Sequence, residues 1–156
     1  MITLQLTNNQ STQMTDRTAF RGRLHFCSNF YPRRLHFRGR YYQTAEHAYQ
    51  ATKMTSLVDH NQIMAASSPG AAKRLGNLLP TLKHWDDIKE HIMLEVLRAK
   101  FTDHPLAEML LATDTEELIE HNTWGDTYWG MCGGVGENKL GKLLMQVRKE
   151  LKEQVT

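Results

Sequence analysis

The clearest pattern along the chain is the helical spacing of apolar residues in two long segments. In "WDDIKEHIMLEVLRAKF" (85–101), apolar residues recur every three or four positions, with acidic residues early and basic residues late. Both the period and the agreement with the helix macrodipole predict an amphipathic helix. "NKLGKLLMQVRKELKEQV" (138–155) has the same spacing, and Asn138 is its expected N-cap.

Shorter helices are predicted in the middle of the chain, each with a recognisable start or stop signal. Residues that commonly cap helices precede apolar runs, and prolines occur where a helix begins or must end. The expected helices are "AEHAYQATKM" after the N-cap Thr44, a segment over about 58–66, a helix from Ser68 and Pro69 that ends before Pro80, and a short helix around 106–111 capped by Asp103.

Extended structure is predicted ahead of these helices. "RLHFRGRYYQ" places Gly39 between two short extended pieces, which is typical of a hairpin, so a small sheet is expected within residues 20–42. The first 16 residues are polar and fit a loose terminus or a short edge strand, while "EELIEH" (116–121) fits a short strand or a helix end. The expected fold is a single, helix-rich α+β domain with a small N-terminal β-sheet or hairpin and a core between residues 20 and 150.

Composition and charge are those of an ordinary globular protein. The chain has 156 residues, of which 40% are hydrophobic and 23% are charged, and its net charge is +2. One domain is therefore expected, and strong sequence-independent binding to nucleic acid is not. The charge is unevenly distributed, because seven arginines and no acidic residue lie between Arg17 and Arg40. We call this stretch the arginine segment (17–40).

Cysteine usage and hydropathy indicate a cytoplasmic protein. Cys27 and Cys132 lie far apart and match no zinc spacing, which favours a reducing compartment and two free thiols. The first residues lack the charged and apolar regions of a secretion signal, and no apolar run approaches the length needed to span a bilayer. We therefore expect no membrane partner.

One helix and one loop contain candidate chemistry. In the first predicted helix, Glu46, Gln50 and Lys53 are separated by four and three residues, so they share one face. This polar stripe fits either a solvated helix face or part of a site.

The glycine-rich loop after residue 123 contains Trp124, Tyr128 and Trp129 around Asp126. Aromatic rings are costly to expose, so these either pack on the core or stack against a base. The loop lacks the G-x-G-x-x-G order and the G-K-S/T ending of phosphate-binding loops. The chain also contains no metal-binding or nucleophile motif. We expect neither a cofactor nor a metal.

Five blocks of the sequence resemble the NADAR family, also called YbiA-like, in the family's own order. The resemblance implies a small, mostly helical α+β domain with N-glycosidase activity. Members of the family hydrolyse the ribosylamine bond of early riboflavin-pathway intermediates or remove ADP-ribose from the amino group of guanine in DNA. The blocks are "FCSNFYP" (26–32), "TAEHAYQATK" (44–53), "SSPGAAKRLG" (67–76), "WDDIKEHIMLEVLRAKF" (85–101) and "YWGMCGGVGENKLGKLLMQVR" (128–148).

The resemblance also implies roles for individual residues. Glu46 matches the family's acidic residue and is expected to act as general acid or base, or to stabilise the developing cation. Asp126 is the expected second carboxyl group, and Lys53 is expected to lower a neighbouring pKa, bind phosphate or attack C1 of the opened sugar. The expected substrate-binding residues are Ser28, Asn29, Phe30 and the stacking ring Trp129, together with Trp85, Lys100 and Asn138, which also fit structural roles as a core ring, a helix-end charge and an N-cap.

Other functions remain open at this level. The arginine segment fits a phosphate-dense ligand such as ADP-ribose or ADP-ribosylated DNA, or equally a solvated basic hairpin. The main alternative to an enzyme is a non-catalytic module that binds ADP-ribose or NAD. A toxin partner that contacts the arginine segment is a further expectation.

Overall fold

The computed structural model describes residues 20–156, and the expectations for the first 16 residues lie outside this range. The described chain is mostly helical with short strands, as predicted for an α+β fold. Its elements are a 3₁₀ helix at Gly22–Cys27, strands β1 (Leu35–Phe37), β2 (Arg40–Tyr42), β3 (His121–Asn122) and β4 (Met131–Cys132), and helices α1 (Ala45–Thr52), α2 (Leu57–Met64), α3 (Pro69–Leu78), α4 (Trp85–Lys100), α5 (His104–Ala112) and α6 (Lys139–Gln154).

Side-chain caps fix the start of four helices. The side chains of Thr44, Ser56, Ser68 and Asp103 each accept a hydrogen bond from the backbone N–H three residues later. These bonds satisfy N–H groups that have no partner within the helix. The caps predicted at Thr44, Ser68 and Asp103 are thus confirmed, and the cap at Ser56 starts α2 one residue earlier than the sequence pattern indicated.

The predicted cap at Asn138 is wrong. Asn138 precedes α6, but its backbone is left-handed, with φ 51°, and its side chain makes no capping bond. Instead the side-chain oxygen accepts from the N–H of Glu120 at 3.0 Å, and the side-chain nitrogen donates to the carbonyl of Leu118 at 2.9 Å. Asparagine tolerates this backbone conformation. Its side-chain amide here gives hydrogen-bond partners to backbone groups of Leu118 and Glu120 that would otherwise lack them.

The predicted hairpin is confirmed, but the extended structure is smaller than expected. β1 and β2 pair antiparallel through a two-residue turn in which Arg38 and Gly39 both have positive φ, 48° and 79°. Such turns match the twist of the flanking strands. Residues 22–27 form a 3₁₀ helix rather than a strand, and of "EELIEH" only the final His121 enters a strand, in a short parallel pairing of β3 with β4.

Helix α1 lies at the centre of the fold, packed against α2, α3 and α4. Every residue from Ala45 to Ala51 is buried, including the polar ones. The apolar core around it includes Ile63, Val96, Leu97, Phe101, Leu106, Leu110 and Leu144. Within residues 20–156 no helix has both the length and the apolar character needed to cross a bilayer.

Candidate active site

The polar face of α1 borders a cavity of about 970 Å³, whose walls also come from the turn at 28–30, α3, the start of α4 and the loop at 120–129. This volume lies at the upper end of the range for small-molecule sites. The cavity brings together most of the residues proposed from the sequence, namely Ser28, Asn29, Phe30, Glu46, Lys53, Trp85, Asp126 and Trp129. Lys100 and Asn138 do not line it.

The stripe on α1 is not a solvated helix face. Glu46 and Gln50 are only 7% and 4% exposed. The Gln50 side-chain amide donates to Glu46 Oε1 at 2.8 Å, and Lys53 Nζ lies 3.5 Å from Gln50 Oε1. Burial raises the pKa of Glu46, an effect opposed by the Gln50 hydrogen bond and by the charges of Lys73 and Lys53. Burial also lowers the pKa of Lys53.

Asp126 is held rigidly in the facing wall. Its Oδ1 atom accepts from the backbone N–H groups of Tyr128 and Trp129 at 3.0 and 2.9 Å. The buried side chain of Asn122 accepts from the Asp126 N–H and donates to its carbonyl. In the described part of the chain the second carboxylate oxygen, Oδ2, receives no hydrogen bond, so it remains available to a ligand.

The loop that contains Asp126 is joined to the start of α6. Backbone N–H groups of residues 137, 139 and 140 donate to the carbonyls of residues 127, 128 and 129 at 2.8–3.1 Å. Between these paired stretches, Gly133 and Gly134 have positive φ, which lets the chain reverse direction. The glycine-rich loop is therefore a fixed wall of the cavity.

Three aromatic side chains form one side of the cavity. Tyr49 lies between Trp85 and Trp129, with ring centroids 5.3 and 5.7 Å away, and the edge-on contact with Trp129 is favourable. Trp85 is therefore both a core ring and a cavity ring. At the cavity mouth Phe30 is 39% exposed and Trp124 is 55% exposed. Of the two alternatives for the loop rings, Trp124 is therefore not packed on the core, and its ring borders the cavity.

The turn at 28–30 is anchored to α1 and α4. The Asn29 carbonyl accepts from the Glu46 N–H at 3.0 Å, and Lys100 Nζ donates to the Ser28 carbonyl at 2.8 Å from behind the cavity. Burial lowers the pKa of Lys100 to about 8. The Asn29 side chain is 6% exposed, and its Oδ1 is buried with no hydrogen-bond partner. Such an atom in a cavity wall is suited to accept a bond from a ligand.

Sequence reasoning missed a further carboxyl group of the cavity, Glu120. Its pKa is raised to about 7, mainly by burial and in addition by the charges of Asp126 and Glu46, while Lys73 opposes the rise. A period-two interpretation of "LIEHN" could have found it, since Leu118 and Asn122 are buried on the same side. Despite these carboxyl groups, no group of three His, Cys, Asp or Glu side chains within residues 20–156 is arranged to hold a metal ion.

Most described arginines of the arginine segment face away from the cavity. Arg33 pairs with Asp103 at 2.6 Å, Arg38 with Glu95 at 2.8 Å, and Arg23 with Glu116. Arg34 lies over the ring of Tyr41. Of the arginines within residues 20–156 only Arg21 lines the cavity, whose other cationic side chains are Lys53, Lys73 and Lys89. Sequence analysis did not single out Lys73 or Lys89.

Comparison with known proteins identifies the family of this chain. The model of the NADAR domain matches residues 16–152. The chain is 42% identical over 128 residues to the N-glycosidase YbiA of Shigella flexneri, covering 80% of this chain and 79% of that protein. It is 40% identical to an N-glycosidase of Nostoc punctiforme, covering 80% of this chain and 84% of that protein.

Two further matches extend the comparison. A riboflavin biosynthesis protein of Vibrio vulnificus is 38% identical over 82% of this chain and 36% of its own length. The NMR structure of the Escherichia coli protein YbiA has a TM-score of 0.76 and 39% identity, covering 83% of this chain and 79% of that chain. The chain therefore belongs to the NADAR family.

Proposed function

We propose that this N-glycosidase hydrolyses the C–N bond between a phosphorylated ribose and an aminated heterocycle, and that a ribosylaminopyrimidine phosphate suits it better than ADP-ribosyl-guanine. The observation that carries the proposal is the content of a single cavity. It combines carboxyl groups, ammonium groups and an aromatic side, with Glu46 and Asp126 both lining the cavity.

The carboxyl groups suit the chemistry of the anomeric carbon. Breaking a C–N bond there builds positive charge on the sugar, which a fixed anion stabilises. We assign this role to Glu46. Burial raises its pKa, but the hydrogen bond from Gln50 and the charges of Lys73 and Lys53 favour its ionised form. Asp126, with Oδ1 fixed by backbone N–H groups and Oδ2 available, is suited to orient water or a ribose hydroxyl.

The cations of the cavity suit a phosphate. We assign Lys53, Lys73 and Lys89 to the phosphate of the sugar, with Arg21 at the same cavity. A pyrophosphate or a DNA backbone would favour several bidentate arginines. Because Arg33 and Arg38 are already paired with carboxylates of the protein, the arrangement supports a monophosphate over ADP-ribose.

The aromatic side and Asn29 suit an aminated heterocycle. The rings of Trp85 and Trp129 provide flat apolar surface, and stacking a base on such a ring contributes about 1–3 kcal/mol. The unpartnered Oδ1 of Asn29 can accept from an amino group or a ring N–H. A buried acceptor without a partner costs about 1–3 kcal/mol, so a ligand that supplies a donor gains most of that energy. The riboflavin-related name of the Vibrio relative supports the same substrate class.

The test is hydrolysis of both substrate classes by the purified chain. We expect release of the aminopyrimidine from the ribosylaminopyrimidine phosphate, with slower or no turnover of a guanine-ADP-ribosylated oligonucleotide. Glu46→Gln should lower kcat by about 10²–10⁴-fold and leave the circular dichroism spectrum unchanged. The exposed Glu117 gives a matched control, and Glu117→Gln should retain the wild-type rate.

The outcomes separate the candidates. Tight ADP-ribose binding without release of base from either substrate would instead favour the non-catalytic module. Full activity of Glu46→Gln would refute the role assigned to Glu46. Faster turnover of the ADP-ribosylated oligonucleotide would reverse the substrate preference.

A further inference from the structure

We propose that Glu120 is the catalytic acid of this site, donating a proton to the departing nitrogen while Glu46 stays ionised beside the sugar. The proposal rests on the proposed N-glycosidase function, in which Glu46 and Asp126 are given other roles, and it assigns the remaining step, protonation of the leaving nitrogen. It begins from the position of Glu120 in the wall of the cavity.

The backbone of Glu120 is fixed on both sides. Its N–H donates to the Asn138 side chain at 3.0 Å, and its carbonyl accepts from the N–H of Met131 at 2.8 Å. These bonds tie residue 120 both to the start of α6 and to the glycine-rich loop. The backbone from which the Glu120 side chain extends is thus fixed in the same wall as Asp126. Catalytic groups need such a rigid support.

Glu46, Asp126 and Glu120, three of the four described carboxyl groups that line the cavity, differ in their hydrogen-bond donors. Glu46 accepts from Gln50, and Asp126 accepts from two backbone N–H groups. Within residues 20–156 the carboxyl group of Glu120 accepts from no donor. Hydrogen bonds to a carboxylate favour its ionised form, and of these three carboxyl groups Glu120 alone lacks that stabilisation among the described residues.

Nearby charges also favour the protonated form of Glu120. Glu120 lies in the field of two anions, Asp126 and Glu46, and of one cation, Lys73. Like charges in a shared site keep one proton between them, and the group without donors is the one that retains it. The pKa of Glu120, raised by burial to about 7, agrees with this assignment.

The remaining acids of the cavity region do not suit this role. The Asp86 side chain is 86% exposed and accepts from Lys89 at 2.9 Å, so it is open to solvent and already paired with a cation. The hydroxyl of Tyr128 donates to Glu90 at 2.6 Å, so its proton is directed away from the sugar. Glu120 is therefore the carboxyl group best suited to remain protonated near neutral pH.

The step balances without any other reactant. The bond between the anomeric carbon and nitrogen breaks, its electron pair goes to the nitrogen, and that nitrogen takes the proton of Glu120. Water forms the new C–O bond and gives one proton to Asp126 or Glu46, after which exchange with solvent restores the proton on Glu120. The products are the free amine and the reducing sugar phosphate.

The test is the pH dependence of turnover in full-length Glu120→Gln and Glu120→Asp. Wild-type kcat/KM should fall as the pH rises through about 7, because the acid loses its proton. Glu120→Gln should lower kcat by about 10²–10⁴-fold with little change in KM, and the fall near neutral pH should disappear. Glu120→Asp should recover part of the rate, and Glu117→Gln should behave like the wild type.

The result separates this inference from the function on which it rests. A wild-type protein that releases base from neither substrate refutes the function and the inference together. An active wild type whose rate and pH profile are unchanged in Glu120→Gln refutes only the role of Glu120. Circular dichroism at each pH identifies any loss that comes from unfolding.

Discussion

Replacing Glu120 by glutamine should stabilise the folded protein at neutral and alkaline pH, without any substrate present. The pKa of Glu120 rises from 4.5 to about 7 on folding, with burial as the main cause. The folded state therefore holds this proton more tightly than the unfolded state, and stability falls as the pH rises from 4.5 towards 7. Each tenfold change in proton affinity corresponds to about 1.4 kcal/mol, so ionising Glu120 above pH 7 lowers the free energy of unfolding by about 3 kcal/mol in full. Water in the open cavity screens part of the cost, which leaves about 2 kcal/mol.

Glutamine has the same shape and no charge, so it avoids this cost. The stability difference between Glu120→Gln and the wild type should be near zero at pH 4.5 and should grow to about 2 kcal/mol near pH 8, which is about 4–8 °C in Tm for a chain of this size. Urea and thermal unfolding across this pH range measure it, with Glu117→Gln as the control that removes an exposed charge. A difference that does not change with pH, or a variant less stable than the wild type near pH 8, would show that Glu120 is not kept protonated by its surroundings.

Two further substitutions test how the site is supported. A Cβ atom at Gly76 would lie 1.9 Å from Gln50 Oε1, so Gly76→Ala should displace Gln50 from Glu46, destabilise the fold by about 1–3 kcal/mol and lower kcat. Gly70→Ala in the same helix meets its nearest neighbour only at 3.5 Å and should do neither in unfolding and turnover assays. Asn138→Ala removes two buried hydrogen bonds and should cost about 2–4 kcal/mol in urea unfolding; a loss no larger than that of an exposed Asn→Ala change would contradict its structural role.

Helix boundaries followed from the sequence because their causes are local. A capping side chain accepts a hydrogen bond from the backbone N–H three residues later. Thr44 and Ser68 could therefore be assigned as N-caps from a few neighbouring residues. The hairpin turn at Arg38 and Gly39 is equally local. The role of Asn138 was missed because its partners are 18 and 20 residues away, and no short pattern shows such a contact.

The residues of the site were partly predictable, but their environment was not. Spacing placed Glu46 and Gln50 on one face, and only the packing of α1 at the centre of the fold shows that this face is buried. Glu120 was missed because two of the charges that act on it, Glu46 and Lys73, are far from it along the chain. The arginine segment shows the opposite case, since carboxylates far along the chain pair with three of its six described arginines, Arg23, Arg33 and Arg38.

Several features that cost this protein stability lie at one cavity. Glu46 and Gln50 are polar and buried in the central helix, Asn29 has a buried atom without a partner, and Glu120 retains a proton against its ordinary pKa. Elsewhere the helices follow local rules of capping and apolar packing. Stability costs of this kind persist in natural proteins where function requires them. Their concentration around Asp126 identifies the cavity as the part of the fold arranged for chemistry rather than for stability.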